Sequence, residues 1–340
     1  MNKDSNCNKI EIINESKFDK RYKILNNCGQ GHSSIAYKVL DTVTGEERIA
    51  KIVDDQLISE FRIEEIILKI IDKYNINTII KFYDSGIEPL TIDGETKKRN
   101  YLILEYGEHG TLYDNLDKTS DGFSEDVSKY IFYEILKTVK ALHGKGICHR
   151  DIKPENFLLV GDNYEIKLCD FGFAYPFLDK NQNKKKLIKS VGTPYYCAPE
   201  ILENKFYDPE KVDYFSIGAL LFLLLTKKFA FEEAKTYEPV QRESQNLYDL
   251  IKRKKIDDYW EIFEIIYGIK KLSSEFKELF IKMVAYNPSE RPSFEEIMNS
   301  KWIKEIKEAD ENKLNELREK MITEIKKSIK KKNKLKIFLV

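Results

Sequence analysis

Residues 22–106 alternate apolar and polar side chains between turn sequences, and the alternation stops at "EYGEHGTL" (105–112). A period of two sends successive side chains to opposite faces of a strand, so this stretch predicts a mainly antiparallel sheet. Thr44-Gly45 and Asp93-Gly94 supply hairpin turns within it. One segment departs from the pattern: "ISEFRIEEIILKIIDKY" places Phe61, Ile67 (or Leu68) and Ile71 at helical spacing, a single helix among strands. Beyond residue 107 the texture is mostly helical, most strongly over 124–143 and 211–226, then over 273–286. "NPSERPS" (287–293) breaks that pattern before a short helix starting near Phe294. From Lys304 onward the chain lacks Gly and Pro and is highly charged, which predicts a solvated helix fraying into a lysine-rich end.

A chain of 340 residues suits two lobes or domains and supports a sizeable core. Lys+Arg 57 balance Asp+Glu 57, so no net field draws the whole molecule to nucleic acid or to an anionic membrane, and neither is expected as a partner. The charge is uneven, because residues 320–336 hold eight lysines and one acid, Glu324. Five cysteines without CxxC spacing argue against a disulfide framework or a zinc site and for a reducing compartment. The start, "MNKDSNCNKI", has no apolar signal core, and "IGALLFLLLT" (217–226) is too short to span a bilayer and reads as a buried helix. A cytoplasmic protein is expected. "DKTSDG" (117–122) has Thr119 at its third position and Ser128 at its twelfth, so it is not a calcium loop.

Four elements with chemical potential follow in order. Glycines sit in a hairpin at 29–31, Lys51 lies on a strand, a helix acid comes next, and Asp151 and Asp170 stand 19 positions apart. Moving a phosphoryl group from a nucleotide needs this set: backbone over the phosphates, a cation on them, a carboxylate and an amide for Mg2+, and an acceptor for the hydroxyl proton.

At these residues the chain resembles the eukaryotic serine/threonine protein kinases, from about Tyr22 to Trp302. "HRDIKPEN" (149–156) matches the catalytic loop, "DFG" (170–172) the metal motif, and "GTPYYCAPE" (192–200) the end of the activation segment. "DYFSIG" (213–218) and "NPSERPS" match later landmarks in the same order. "SEFKELFIKMVAYNPSERPSFEEIMNSKWI" and "LYDLIKRKKIDDYWEIF" resemble the calcium/calmodulin-dependent kinase group and its calcium-dependent relatives. The resemblance implies an α+β, bilobal protein-kinase fold. Residues 1–21 would be an extension, 22–106 an N-lobe of antiparallel sheet plus one helix, 107–302 a mostly helical C-lobe, and 303–340 a charged tail.

The resemblance also implies ATP and Mg2+ as cofactors, protein Ser/Thr hydroxyls as acceptors, and a set of roles. Asp151 accepts the hydroxyl proton, Lys153 neutralises the migrating phosphoryl group, and Thr193 contacts both. Asn156 and Asp170 hold the metal ions. Lys51 grips the phosphates and pairs with a helix acid, which the register places at Glu64, with Glu65 and Glu60 as alternatives. Gly29, Gln30 and Gly31 cover the phosphates. Ala36, Ile49, Leu104, Glu105, Gly107, Glu155, Leu158 and Cys169 complete the nucleotide side, with Leu104 as gatekeeper and Glu105-Tyr106-Gly107 as hinge. Glu200 would pair with Arg291, and Asp213 would brace the catalytic loop.

Departures from the pattern matter as well. Ser34 stands where the third loop glycine belongs, and a bulky Ile49 with a small Ala36 reads as a size swap across the base. Arg150 normally pairs with a phosphate on the activation segment, but the customary acceptor position is Lys189, with Ser190 displaced by one. A segment that needs no phosphate is the preferred reading. Glu155 remains as an acid for selecting basic substrates, whereas Thr111 and Leu223 occupy two other acid positions, so a strong arginine requirement is not expected. A kinase fold kept as a silent scaffold is the competing class. In the tail, Leu314, Leu317, Met321, Ile325 and Ile329 share one helical face with lysines opposite. Such a helix can bind calmodulin and hold the kinase off, pack on the lower lobe, or be a soluble end.

Overall fold

The computed structural model describes residues 17–30, 34–54, 58–92, 95–232, 247–269 and 271–338. The chain divides into two compact units, the first ending at Tyr106 and the second beginning at Gly107.

In the first unit, α1 (Lys17–Arg21) leads into β1 (Tyr22–Gln30), β2 (Ile35–Asp41) and β3 (Glu47–Asp54), then α2 (Ile58–Tyr74), β4 (Phe82–Ile92) and β5 (Glu95–Glu105). The five strands form one antiparallel sheet in the order β1-β2-β3-β5-β4. The first predicted turn joins β2 to β3, where Gly45 N donates to Asp41 O at 2.8 Å. The second, Asp93-Gly94, lies outside the described residues, between the paired ends Ile92 and Glu95. Residues directly across the ladder share a face. One face carries Tyr37, Val39, Ala50, Ile52, Tyr101 and Ile103, packed with Phe18 of α1 and with Tyr22. The other carries Ala36, Ile49, Lys51, Leu102 and Leu104, since Ala36 pairs with Lys51, Lys51 with Leu102, and Ile49 with Leu104. The expected lone helix is α2, and Phe61, Ile67, Leu68 and Ile71 are its buried stripe.

The second unit opens with α3 (Leu112–Asp117), α4 (Glu125–His143), β6 (Ile147–Cys148), β7 (Phe157–Val160), β8 (Glu165–Leu168) and β9 (Tyr175–Pro176). It continues through α5 (Pro199–Leu202), α6 (Pro209–Thr226), α7 (Leu247–Lys252), α8 (Ile256–Glu261), α9 (Ser274–Met283), α10 (Phe294–Met298), α11 (Lys304–Lys307) and α12 (Glu311–Phe338). Asp208 caps α6 by accepting from the N–H groups of Glu210 and Lys211, Pro209 fits the first turn, and every residue from Val212 to Thr226 is buried. An apolar run that is hydrophobic all round is therefore the centre of this unit. Among the described residues no helix is long and apolar enough to cross a membrane. The third predicted helix ends at Met283, three residues early, because Val284 and Ala285 leave helical geometry ahead of "NPSERPS".

The tail differs from a solvated end. Helix α12 lies along α4, with Leu317, Met321, Ile322 and Ile325 buried. Polar clips flank that stripe. Arg318 Nε donates to Tyr130 Oη at 3.0 Å, Lys320 pairs with Asp126 at 2.5 Å, and Ser124 N donates to Glu324 Oε2 at 3.1 Å. Of the three readings of the tail face, packing on the lobe is the one the structure shows for Leu317, Met321 and Ile325, each worth roughly 1.5–3 kcal/mol when fully covered.

Candidate active site

In the first unit, strand register sets out the candidate nucleotide face. Ala36, Ile49, Lys51 and Leu104 point to one side of the sheet, with Ile49 diagonal to Ala36 across β2 and β3. Gly29 sits opposite Ala36 beside a bulge, and its N–H donates to Asn27 Oδ1 at 2.8 Å. Gln30 ends β1 opposite Ile35. The Gln30 side chain and Gly31 lie outside the described residues. Lys51 Nζ donates to both carboxylate oxygens of Glu64, at 2.8 and 2.9 Å, and Glu64 is only 3 % exposed. Glu65 is engaged elsewhere, accepting from Lys69 Nζ at 2.6 Å and from Ser85 Oγ at 2.5 Å. The Glu60 side chain is outside the described residues. Glu105 closes β5, with its N–H donating to Lys81 O at 2.9 Å and its carboxylate accepting from Lys81 N at 3.0 Å.

In the second unit, the residues around Asp151 form one buried network. Asp213, fully buried at the start of α6, accepts from the backbone N–H of His149 at 2.9 Å and of Arg150 at 2.8 Å, and from His143 Nε2 at 2.7 Å. Burial alone would raise its carboxyl; the hydrogen bond and charge of His143, with the His149 amide, override that and hold it below the usual aspartate range. These contacts stabilise the left-handed backbone of Arg150 (φ 66°). His149 is packed rather than reactive. Its Nδ1 accepts from Asp151 N at 3.3 Å, which leaves Nε2 as the donor to Cys169 O at 3.2 Å.

Asp151 is 5 % exposed and surrounded by donors. Thr193 Oγ1 donates to its Oδ1 at 2.8 Å, Lys153 Nζ lies 2.8 Å from its Oδ2, and Asn156 Nδ2 donates to Oδ2 at 3.1 Å. Lys153 Nζ also donates to Thr193 Oγ1 at 2.9 Å, closing a triangle of Asp151, Lys153 and Thr193. Thr193 reaches this point because Gly192 (φ 103°) crosses the Arg150 carbonyl. A Cβ at 192 would come within 2.6 Å of that oxygen, so the position demands glycine.

The β7–β8 hairpin sets Asn156 opposite Cys169, whose N–H donates to Asn156 O at 2.8 Å, so Asp170 follows directly beside it. Asn156 Nδ2 is committed to Asp151, also donating to its backbone O at 2.8 Å, and the amide oxygen is thereby turned the other way. A carboxylate and an amide oxygen side by side are hard donors of the kind Mg2+ accepts, so the residues fit that ion. Asp170 takes a left-handed backbone (φ 60°), with Gly172 N donating to its Oδ1 at 3.4 Å. Leu158 on β7 is half-buried and packs closely on Gly107, where an added Cβ would meet Leu158 Cβ at 3.0 Å. Glu155 is half-buried and its Oε2 has no hydrogen-bond partner among the described residues; burial pushes its carboxyl up.

The expected Glu200–Arg291 ion pair is also present. Arg291, 2 % exposed, meets Glu200 through two parallel bonds of 2.6 and 2.7 Å, with Nε on Ala285 O at 2.8 Å. Thr111 caps α3 in a reciprocal box with Asp114, and Leu223 is core. One residue that sequence reasoning passes over is Tyr207, since a lone phenol offers no spacing signal.

Residues 22–303 match the family described as "Protein kinase domain". The human SNF-related serine/threonine-protein kinase is 30 % identical over 307 residues, which is 88 % of this chain and 36 % of that protein. Calcium-dependent protein kinase 5 of Plasmodium berghei (strain Anka) is 32 % identical over 323 residues, 93 % of this chain and 52 % of that protein. CBL-interacting serine/threonine-protein kinase 15 of Arabidopsis thaliana is 30 % identical over 298 residues, 86 % of this chain and 64 % of that protein. This chain thus spans little more than a third of the SNF-related relatives and about half to two thirds of the other two. It belongs to the protein kinase domain family and resembles the calcium/calmodulin-dependent serine/threonine group within it.

Proposed function

We propose that the protein transfers the γ-phosphoryl group of ATP to serine and threonine hydroxyls of protein substrates. The observation that carries this reading is the Asp151–Lys153–Thr193 triangle, with Asn156 and Asp170 beside it. Asp151 accepts the proton of the attacking hydroxyl, and Lys153 offsets negative charge on the phosphoryl group as it moves. Thr193 orients the Asp151 carboxylate through Oδ1, and Asn156 orients it through Oδ2. Asn156 and Asp170 would hold Mg2+, which would supply positive charge to offset the phosphates during transfer. In the first unit, Lys51 is held by Glu64 in position to bind phosphate oxygens, and Ala36, Ile49 and Leu104 give that sheet face an apolar surface suited to a base. Lys153, two residues after the base, supports Ser/Thr over Tyr acceptors. A cytoplasmic location fits the four described cysteines, all of which are free thiols.

Incubating the full chain with labelled ATP, Mg2+ and an array of Ser, Thr and Tyr peptides tests the reading. Label on Ser/Thr peptides, absent without Mg2+, is expected; a chain that labels none of them is a scaffold instead. A calmodulin-released tail is the second reading. The face that calmodulin would need includes Leu317, Met321 and Ile325, which are already buried on α4, so binding requires that face to leave the lobe. Unchanged activity on truncation after residue 303, with and without Ca2+/calmodulin, would remove it.

A further inference from the structure

The guanidinium of Arg150, the residue before the proposed base, is bonded through Nε and NH1 to two groups of the chain itself. Its Nε donates to Phe173 O at 2.8 Å, just after the Asp170-Phe171-Gly172 motif, and NH1 donates to Tyr207 Oη at 3.0 Å. Its planar face lies 5.2 Å from the Tyr175 ring centroid. Tyr207 in turn donates its own proton to Lys189 O at 2.9 Å. The two chain segments are also laced by a backbone bridge, with Leu187 N on Tyr207 O at 3.1 Å and Tyr207 N on Leu187 O at 2.8 Å. A phenol can accept from a cation while donating to a carbonyl, and here both capacities are used in a site where Tyr207 is 1 % exposed. Burial also pushes its hydroxyl up, away from ionisation.

The relay ends four residues before Thr193, which touches Asp151 and Lys153. From Asp151 the path therefore runs through Arg150, Tyr207 and Lys189 and back through Thr193 to Asp151. Lys189 and Ser190 themselves are exposed, and neither side chain supplies a group to Arg150 among the described contacts.

We propose that Tyr207 is a positioning residue for phosphoryl transfer. Its hydroxyl joins Arg150 to the Lys189 carbonyl and so fixes Thr193 on the base without any phosphate on the activation segment. The inference rests on the kinase reading above and adds the regulation of the same site: the enzyme is competent as synthesised, and Ser190 is not a switch.

The test uses the full chain and measures peptide kcat and KM for ATP. Parent protein is assayed untreated and after phosphatase, with intact mass confirming removal of phosphate, beside Ser190→Ala, Tyr207→Phe, Arg150→Lys and the Tyr207→Phe/Arg150→Lys pair. Dephosphorylated parent and Ser190→Ala should keep kcat within about twofold. Tyr207→Phe leaves a cation and a carbonyl short of one partner, so kcat should fall about tenfold while KM for ATP stays within about twofold. Arg150→Lys should fall similarly, and the double variant no further, because both act through one relay. If Tyr207→Phe fails to fold, Arg150→Lys carries the same kcat-against-KM test. Activity lost on dephosphorylation, parental kcat in Tyr207→Phe, or additive losses in the pair would overturn the proposal and leave the kinase reading standing. No transfer by untreated parent would overturn both.

Discussion

Thr193 donates its hydroxyl to Asp151 Oδ1 over 2.8 Å while accepting from Lys153 Nζ at 2.9 Å, so one side chain sets the orientation of both groups. Only a hydroxyl can serve as donor and acceptor in that geometry. Thr193→Ala should lower kcat by about 10²-fold, the scale expected when a catalytic group drifts by roughly 1 Å, whereas Thr193→Ser should stay close to parental. Steady-state transfer to a serine peptide distinguishes the two, and equal loss in both would mean that the methyl group, not the hydroxyl, matters.

The Lys51–Glu64 pair makes a different prediction, read on nucleotide rather than on the acceptor. Glu64 is buried and bonds Lys51 through both oxygens, so Glu64→Gln removes the charge while preserving shape. KM for ATP should rise roughly tenfold or more with the fold intact, since an ordered cation on the phosphates is lost. A variant that binds ATP as the parent does would show that Lys51 needs no anionic partner.

Asp213 links the loop to acid stability. Its folded carboxyl titrates below the ordinary value of 3.8, so the ionised form adds stability that is present above 3.8 and is lost as pH falls below it toward the folded value. Asp213→Asn lacks this contribution. The stability gap between parent and variant, measured by denaturant unfolding, should therefore be widest at neutral pH and narrow below pH 3.8. A gap that widens on acidification would contradict the assignment.

The tail offers a packing prediction. Met321 is fully buried between α12 and α4, so Met321→Ala should cost about 2–5 kcal/mol of tail docking or of overall stability. Met321→Lys should release α12 altogether. Hydrogen exchange over 311–331 reads this, with faster exchange confined to α12 and to the α4 surface beneath it. Parental protection in Met321→Lys would show that the polar clips alone hold the helix.

Much of the fold and of the candidate site's geometry is legible in the amino-acid sequence. The period-two texture up to residue 106 corresponds to the five-stranded sheet, and "ISEFRIEEIILKIIDKY" is α2 from its first residue to its last. The loop around Asp151 is legible because charge-handling residues at fixed short spacing are a local signal. What the sequence hides is long-range and neutral. The stripe on α12 is legible, since Leu317, Met321 and Ile325 share the predicted face, but nothing local in the sequence says that α4 is the surface that covers it. Tyr207 meets Arg150 across 57 positions through a single hydroxyl, and no periodicity marks that contact. Among the candidate acids, only three-dimensional packing distinguishes Glu64, which faces Lys51, from Glu65, which faces Lys69 and Ser85.

The most direct measurement compares the full chain with Asp151→Asn for γ-phosphoryl transfer from MgATP to a serine peptide. The substitution keeps the contacts to Thr193 and Asn156 sterically possible but removes the proton acceptor. Transfer by the parent and a loss of at least about 10²-fold in the variant, with ATP binding retained, are expected. Equal rates in the two proteins would contradict Asp151 as the proton acceptor.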